Sequence, residues 1–323
     1  MLTRFCAAVA AASLMVPATW GQAADEKFPA KPLTLVVPFT AGGSTDIYAR
    51  AFAPQVRAKF GQPLVIENRP GGGSSIGAAL VARATPDGHM LLFGSTSLAV
   101  QMAKQPPPPF DIQRDFAPIT IVVNTPLFLS ISPSFPARSF AQFIAYVKAN
   151  PGKVDYGHPG SGGSPHLEAE SFKFRAGIDM VPVPYKGSGP LLNAVLSGEV
   201  MVSFQGASSR PYIDAGKLIP LAVTSAKRQS WAPNVPTMDE VLPGYGESAT
   251  WQGLLAPGRT PKGVIAALHA SIADIIRSAE YRQRVAALDP ELVANTPEEF
   301  AVIIRADVDK WGKLIRAAKI AVE

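Results

Sequence analysis

The chain has 323 residues, of which 47% are hydrophobic and 17% are charged, and its formal net charge is +5. This length suits two domains, and this composition supports buried cores and excludes a largely disordered chain. The basic residues are scattered, without a basic stripe or an alternation of basic and aromatic residues, which argues against nucleic-acid binding. The single cysteine and four histidines show no metal-ligand spacing, so we expect no metal site and no cofactor.

The first 23 residues have the pattern of a secretory signal peptide. Arg4 supplies the positive start, an apolar, alanine-rich run follows, and small residues precede a cleavage site after Ala23. The run is shorter than the ~20 residues of a membrane-spanning helix, and Pro17 ends it, which argues against a membrane anchor. We therefore expect residues 1–23, which include the single cysteine Cys6, to be removed during secretion.

Short apolar strands alternate with helices after this leader. This alternation is typical of a parallel sheet that is covered by helices on both faces. Pro54 lies inside the first helix, where it predicts a kink or a break because proline lacks the backbone N–H group. The predicted strands are 33–37, 64–68 and 89–93, and the predicted helices are 45–60 and 76–84.

A proline run at residues 105–110 interrupts this pattern, and we interpret it as a rigid surface loop rather than a polyproline ligand. The β-branched segment 119–123 then predicts a strand that crosses into a second α/β domain, and the chain returns to the first domain near Thr250. The last helix begins at a capping box over residues 296–299. We predict an α/β fold of two lobes, each a mostly parallel sheet flanked by helices, in which residues 24–123 and 252–323 form lobe 1 and residues 124–251 form lobe 2.

Two glycine-rich turns share one design, because each leads from an apolar strand into a helix. The first spans residues 39–46 and the second spans residues 157–166. A helix start leaves backbone N–H groups unpaired and carries the positive end of the helix dipole, so it attracts an anion. Loops converge at the carboxyl ends of the strands in open α/β sheets, so we predict that the two turns grip a small carboxylate from opposite lobes. The candidate ligand-binding residues in these turns are Phe39, Ala41, Gly42, Gly43, Ser44, Thr45, Asp46, Ser161, Gly163, Ser164 and His166.

Several candidates also have purely structural interpretations. Ser164, with Pro165 after it, suits the N-cap position of a helix, and Asp46 suits a bond to its own turn or to the positive end of its own helix. A buried structural role is as well supported for His166 as a ligand contact, and Lys186 is either a counter-charge for a carboxylate or an ordinary exposed lysine. The further candidates that follow other predicted strands are Thr96, Tyr185, Lys186 and Gln205.

The sequence contains no recognisable catalytic motif. No serine stands in a Gly-x-Ser-x-Gly nucleophile elbow, the predicted mature chain has no thiol, and no paired carboxylates stand in a cleft motif. A serine hydrolase that uses Ser161 or Ser164 with His166 is a remote alternative, because a catalytic triad is defined by geometry. We therefore expect a binding protein rather than an enzyme.

Several motifs stand out along the chain, namely VPFTAGGSTD at 37–46, ENRPG at 67–71, PDG at 86–88, DFAPI at 115–119, VPYKG at 183–187 and LAVTSAKR at 221–228. Together they resemble the solute receptors of the tripartite tricarboxylate transporter type, the Bug family. The resemblance covers nearly the whole predicted mature chain and implies a periplasmic Venus-flytrap protein that hands a carboxylated solute to a membrane permease. It also implies that the loops matching residues 39–46 and 161–166 hold the ligand carboxylate, with the help of ordered waters.

Two departures from the family pattern concern the ligand. Gln205 and Gly206 stand where the family often has an aspartate, which disfavours an amino-acid ligand, and Gln101 and Met102 stand where an Asn-Pro pair is usual. The main alternative to transport is a receptor of the same fold that presents its closed form to a membrane sensor kinase. We expect a monomer that binds a small organic acid.

Overall fold

A computed structural model describes residues 28–246, 248–288, 290–318 and 320 of the chain. The predicted signal peptide and Cys6 lie outside the described residues. Within these ranges, no helix has both the length and the apolar character that crossing a bilayer requires.

Helices and strands alternate along the described chain. In chain order, the strands are β1 (Leu33–Val37), β2 (Leu64–Asn68), β3 (Met90–Ser95), β4 (Phe116–Pro126), β5 (Phe128–Ile131), β6 (Asp155–His158), β7 (Val181–Pro184), β8 (Val202–Gln205), β9 (Ile219–Val223), β10 (Ala249–Pro257) and β11 (Glu291–Leu292). The α-helices are α1 (Ser44–Phe60), α2 (Ser75–Ala82), α3 (Ser97–Gln101), α4 (Phe140–Ala149), α5 (Ser164–Ala176), α6 (Ser188–Ser197), α7 (Arg210–Asp214), α8 (Met238–Val241), α9 (Lys262–Arg277), α10 (Ala279–Val285) and α11 (Pro297–Ala318).

The strands form two separate sheets, one for each lobe, and both sheets are mixed. The first has the order β11-β4-β10-β3-β1-β2, and the second has the order β7-β6-β8-β5-β9. In the first sheet β1 is parallel to β2 and β3, whereas β10 is antiparallel to β3 and β4. In the second, β6 is parallel to β7 and β8, whereas β5 is antiparallel to β8 and β9. Strand–helix alternation predicts only the parallel units, and the antiparallel strands make these sheets mixed rather than mostly parallel.

The two strands that carry the chain between the lobes pair with each other. β4 pairs antiparallel with β10 along nearly its full length, and Trp251 lies opposite Asn124 in this register. β4 is followed by Leu127 and then by β5 of the second sheet. The boundaries predicted after residues 123 and 251 therefore lie inside one pair of strands, side by side.

The helix boundaries mostly follow the local signals of the sequence. The capping box at the last helix is present, because Glu299 N–H donates to Thr296 Oγ1 (3.2 Å) and Thr296 N–H donates to Glu299 (2.9 Å). Of the kink or break predicted at Pro54, the break does not occur, since α1 continues through this residue. The predicted N-cap of α5 is wrong by one residue, because Gly163 is the N-cap and Ser164 is the first helical residue.

Each lobe has its own hydrophobic core, and a smaller cluster joins the lobes. Leu167 of α5 packs with Ala99 and Val100 of the first lobe and with Trp311 and Ile315 of α11. All of these side chains are buried. Burying a side chain of this size contributes roughly 1.5–3 kcal/mol, so this cluster stabilises the arrangement in which the two lobes are close together.

Candidate functional site

The start of α1 leaves backbone donors free at the cleft between the lobes. Gly43 is the N-cap, no side chain caps this helix, and the first helical bond runs from Ile47 N–H to Gly43 O (3.0 Å). The N–H groups of Ser44, Thr45 and Asp46 therefore have no acceptor within the helix. This end of α1 carries the positive end of the helix dipole.

The start of α5 comes from the second lobe and touches the first. Ser164 N–H donates to Ser97 Oγ (3.0 Å), and the two hydroxyl oxygens are also 3.0 Å apart. Gln101 Nε2 donates to the carbonyl oxygen of Gly162 (3.0 Å). These bonds connect the lobes at the edge of the cleft.

Both helix starts line one small cavity, which we call the small compartment. Its volume is about 60 Å³. No charged side chain of the described residues lines it, so the partial positive charge there comes from the helix starts and from hydroxyl groups. Its polar lining comprises Ser44, Thr45, Ser95, Ser97, Thr125, Ser164, Ser188, Thr250 and Gln252, together with Thr40.

Gln252 of β10 contributes a free acceptor to this compartment. The residue is buried, and its Nε2 donates to Thr125 Oγ1 (3.1 Å), which itself donates to the carbonyl oxygen of Thr250 (3.2 Å). This chain of bonds fixes the orientation of the amide, so Oε1 is the atom without a partner among the described residues. A buried acceptor of this kind calls for a donor such as a water molecule or a ligand hydroxyl.

A second, larger cavity adjoins the first, and we call it the large compartment. Its volume is about 450 Å³, and it shares Phe39, Thr40 and Ser97 with the small compartment. Lys186 is the single charged residue in its described lining. Its remaining lining is rich in proline and glycine and comprises Pro38, Pro70, Gly71, Gly72, Gly73, Ser74, Pro159, Gly160, Ser161, Gly163, Pro165, Tyr185 and Gly187.

Two glycines allow the lobes to approach each other around these compartments. A Cβ atom at Gly187 would lie within 3 Å of the side chain of Thr40, and one at Gly73 would lie 2.6 Å from the carbonyl oxygen of Ser161. Contacts that short do not occur, so any side chain at either position would push the lobes apart.

Most of the predicted site residues border a compartment. Gly43, Ser44, Thr45 and Ser164 line the small one, Ser161, Gly163, Tyr185 and Lys186 line the large one, and Phe39 lines both.

Three predicted residues of the first turn and its helix lie elsewhere. Ala41 and Gly42 are exposed and line neither compartment. Asp46 also lines neither, because its carboxylate accepts bonds from Gly42 N–H (3.0 Å), Arg50 Nε (2.9 Å) and Asn68 Nδ2 (3.0 Å). Burial alone would raise the pKa of Asp46, but these bonds outweigh it and lower the pKa. Asp46 therefore holds the turn together, which agrees with the structural alternative given for this residue in the sequence analysis.

His166 also supports a turn and lines neither compartment. Its Nδ1 accepts a bond from Gly162 N–H (3.1 Å), and its ring centre is 4.2 Å from that of His158. Burial, assisted by the nearby His158 and Lys173, lowers the pKa of His166 to about 3. The ring is therefore neutral near pH 7 and offers no positive charge to an anion. Because Gly162 N–H occupies Nδ1 and the residue lines neither compartment, His166 is not placed to act as the base of a hydrolase in the cleft.

Thr96 and Gln205 have structural bonds rather than positions on the cleft surface. Thr96 Oγ1 accepts a bond from Trp251 N–H (3.1 Å), and Gln205 Nε2 donates to Ser203 Oγ (3.0 Å). Neither residue lines a compartment, whereas the next residues, Ser97 and Gly206, do.

Several lining residues are not singled out by the sequence pattern. Thr125, Thr250 and Gln252 belong to the crossing strands β4 and β10, and residues 70–74 form a third loop after β2. The glycine run at 71–73 is the one sequence signal within this loop. On its own it predicts the end of a strand and does not predict a place in the site.

Comparisons with known proteins agree with this geometry. The model of the family described as "Tripartite tricarboxylate transporter family receptor" matches residues 48–320. The solved structure of the periplasmic binding protein BugD is 32% identical, covers 91% of this chain and 99% of its own chain, and has a TM-score of 0.86. An R. palustris protein solved with adipate is 33% identical, with coverages of 91% and 99% and a TM-score of 0.86. MatC from Rhodopseudomonas palustris, solved with malate, is 28% identical, with coverages of 89% and 100% and a TM-score of 0.85.

Proposed function

The chain belongs to the tripartite tricarboxylate transporter receptor family, which comprises periplasmic solute-binding receptors rather than enzymes, and we propose that it captures a small organic carboxylate for a membrane permease. The observation that carries this proposal is the meeting of two helix starts in one compartment that no described carboxylate enters. Relatives of known structure that hold adipate and malate support the same ligand class. The N-terminal sequence pattern supports export through a cleaved signal peptide.

One carboxylate group of the ligand docks in the small compartment. The free N–H groups at the start of α1 and the hydroxyls of Ser44 and Thr45 donate hydrogen bonds to it from the first lobe. The start of α5, with Ser164, completes the binding site from the second lobe. Hydrogen bonds to a charged group contribute about 1.5–3 kcal/mol each, so a few of them, with burial, supply the roughly −8 kcal/mol of a micromolar complex.

Lobe closure then encloses the ligand, and the structure has features suited to a closed form. The bonds from Ser164 to Ser97 and from Gln101 to Gly162 span the cleft. The crossing pair β4–β10 is the connection about which the lobes move, as in hinge closure around a ligand. The closed form is the one that the permease recognises.

Titration calorimetry of the mature protein tests the ligand class. The panel pairs each acid with its neutral amide, such as adipate with adipamide, beside malate, citrate and uncharged sugars. We expect micromolar binding for at least one acid and a loss of at least about tenfold for its amide, which corresponds to about 1.4 kcal/mol. Binding of a sugar or an amide, with no acid bound, would refute the carboxylate site.

Uptake measurements test the delivery step. Deletion of the gene should abolish uptake of the labelled acid, and a plasmid copy should restore it. Unchanged uptake, together with loss of a transcriptional response to the acid, would replace transport by the signalling role.

A further inference from the structure

The two compartments differ in size and chemistry, and this difference bears on the ligand, provided that the proposed carboxylate-binding function holds. The small compartment, about 60 Å³, suits a carboxylate group, whereas the large one is about 450 Å³. Cavities that bind whole small molecules measure roughly 300–1,000 Å³. The body of the ligand therefore extends well beyond its carboxylate.

The lining of the large compartment is rich in proline and glycine. Prolines face it from both lobes, Pro38 and Pro70 from the first and Pro159 and Pro165 from the second, and a glycine loop, residues 71–73, forms another side. Proline and glycine have no side-chain rotamers with which to adapt to a ligand. A rigid, flat body fits such a space with less loss of conformational entropy than a flexible chain does.

The described lining of the large compartment offers no buried positive charge to a second carboxylate. Lys186, the single charged residue of its described lining, is exposed at the surface. The hydroxyl of Tyr185 is already used, since it donates to Glu199 (3.0 Å). A second carboxylate placed among prolines and glycines would lose its hydration without compensation, which costs several kcal/mol.

One buried hydroxyl in the large compartment has no partner. Ser74 is 2% exposed, its Oγ atom has no hydrogen-bond partner among the described residues, and its φ angle is +83°. An unsatisfied buried hydroxyl costs about 1–3 kcal/mol, and a non-glycine residue in this conformation adds strain. A hydroxyl group on the ligand would satisfy Ser74.

From these observations we infer that the ligand is an aromatic monocarboxylate with a hydroxyl group on its ring. The carboxylate occupies the small compartment between the helix starts. The ring lies between the prolines of the two lobes, and the ring hydroxyl bonds to Ser74 Oγ.

Titration calorimetry with five acids tests this inference. The probes are benzoate, meta-hydroxybenzoate, para-hydroxybenzoate, adipate and malate. We expect one hydroxybenzoate to bind at least about tenfold more tightly than adipate or malate. Tighter binding of adipate or malate would overturn the inference and leave the carboxylate function intact. If no acid binds and a neutral solute does, the proposed function itself is overturned.

The variant Ser74→Gly tests the role of the hydroxyl. Glycine accepts the left-handed conformation of this position without strain, so we expect the variant to fold and to melt at the temperature of the original chain or above it. Its affinity for the preferred hydroxybenzoate should fall about fivefold, the effect of one neutral hydrogen bond, and its affinity for benzoate should stay within about twofold. Equal losses for both acids, or no loss for the hydroxybenzoate, would overturn the assignment of Ser74.

Discussion

The starts of α1 and α5 have the same glycine-rich design, yet different groups hold them in place. At α1 the charged carboxylate of Asp46 binds Gly42 N–H, and all of its partners belong to the first lobe. At α5 the neutral ring of His166 binds Gly162 N–H, and Ser97 of the opposite lobe takes the N–H of Ser164. The first N–H groups of α1 thus have no acceptor within the helix and are available to the proposed ligand, while the start of α5 uses part of its donors to join the lobes.

The largest difference that we expect between the turns is in their response to pH. The pKa of His166 is about 3 in the folded protein, below the ordinary value of about 6.5. The unfolded chain therefore binds more protons than the folded one between these values, so stability falls as the pH is lowered through this range. The pKa of Asp46 is itself lowered, so its contribution is present above its ordinary value and is lost only in stronger acid.

The free energy of unfolding in urea at pH 7 and at pH 5 measures this effect. We expect the original chain to lose about 1–2 kcal/mol more than the variant His166→Gln between these pH values. Glutamine retains an acceptor for Gly162 N–H but does not titrate. The same pH dependence in both proteins would show that His166 is not held neutral.

The variant Gly43→Val tests the ligand-binding role of the start of α1. A Cβ atom at Gly43 meets only ordinary contacts, 3.7 Å from Thr40 O and 3.9 Å from the Ser188 side chain, so valine fits the fold and occupies the small compartment. We expect the affinity for the acid to fall at least tenfold, about 1.4 kcal/mol, with the melting temperature little changed.

Gly263→Val is the matched control, because a Cβ atom at Gly263 on α9 meets nothing within 4 Å and the residue lines neither compartment. Its affinity should equal that of the original chain. An unchanged affinity in Gly43→Val would remove the first turn from the site.

The variant Ser97→Ala tests the joining role of the start of α5, and its expected effect is the smallest. Alanine removes the acceptor of Ser164 N–H, which is a bond made across the cleft. The closed form should lose about 1 kcal/mol, so the affinity should fall about fivefold, mainly through faster dissociation.

Ser197→Ala serves as its control, since Ser197 Oγ bonds within its own helix to Ala194 O (3.1 Å). Stopped-flow release of the ligand should be unchanged in this control. Slower association with unchanged dissociation in Ser97→Ala would assign Ser97 to ligand entry instead of closure.

The sequence predicts those parts of the site that depend on neighbouring residues. Both glycine-rich turns, the helices after them and the capping box at Thr296 follow from local signals, and the family resemblance adds the two-lobed fold. The sequence names Asp46 and His166 as candidate ligand contacts and also gives each a structural alternative. Both residues line neither compartment and support their turns, and this role involves Asn68 and His158, which the sequence alone does not bring to them.

The rest of the site depends on contacts between distant segments. Thr125 and Gln252 meet only because β4 and β10 pair, and Ser97 meets Ser164 only when the lobes are close together. The loop of residues 71–74 becomes a wall of the cleft only opposite the second lobe. Local periodicity and turn signals carry no information on contacts between distant segments. The sequence pattern therefore does not identify Gln252 or Ser74 as residues that line the cleft.

The position of Gln252 on a crossing strand has a consequence for the order of recognition. Thr125, Thr250 and Gln252 lie on the strand pair that connects the lobes and border only the small compartment, whereas Pro38 and Pro70 of the first lobe and Tyr185 and Lys186 of the second border only the large one. Surroundings near a hinge change least as it turns, so under the proposed closure the carboxylate of an incoming acid contacts the small compartment while the lobes are still apart. The proposed closure brings the large compartment against the rest of the solute only afterwards, so we expect a solute of the wrong shape to dissociate before the lobes close.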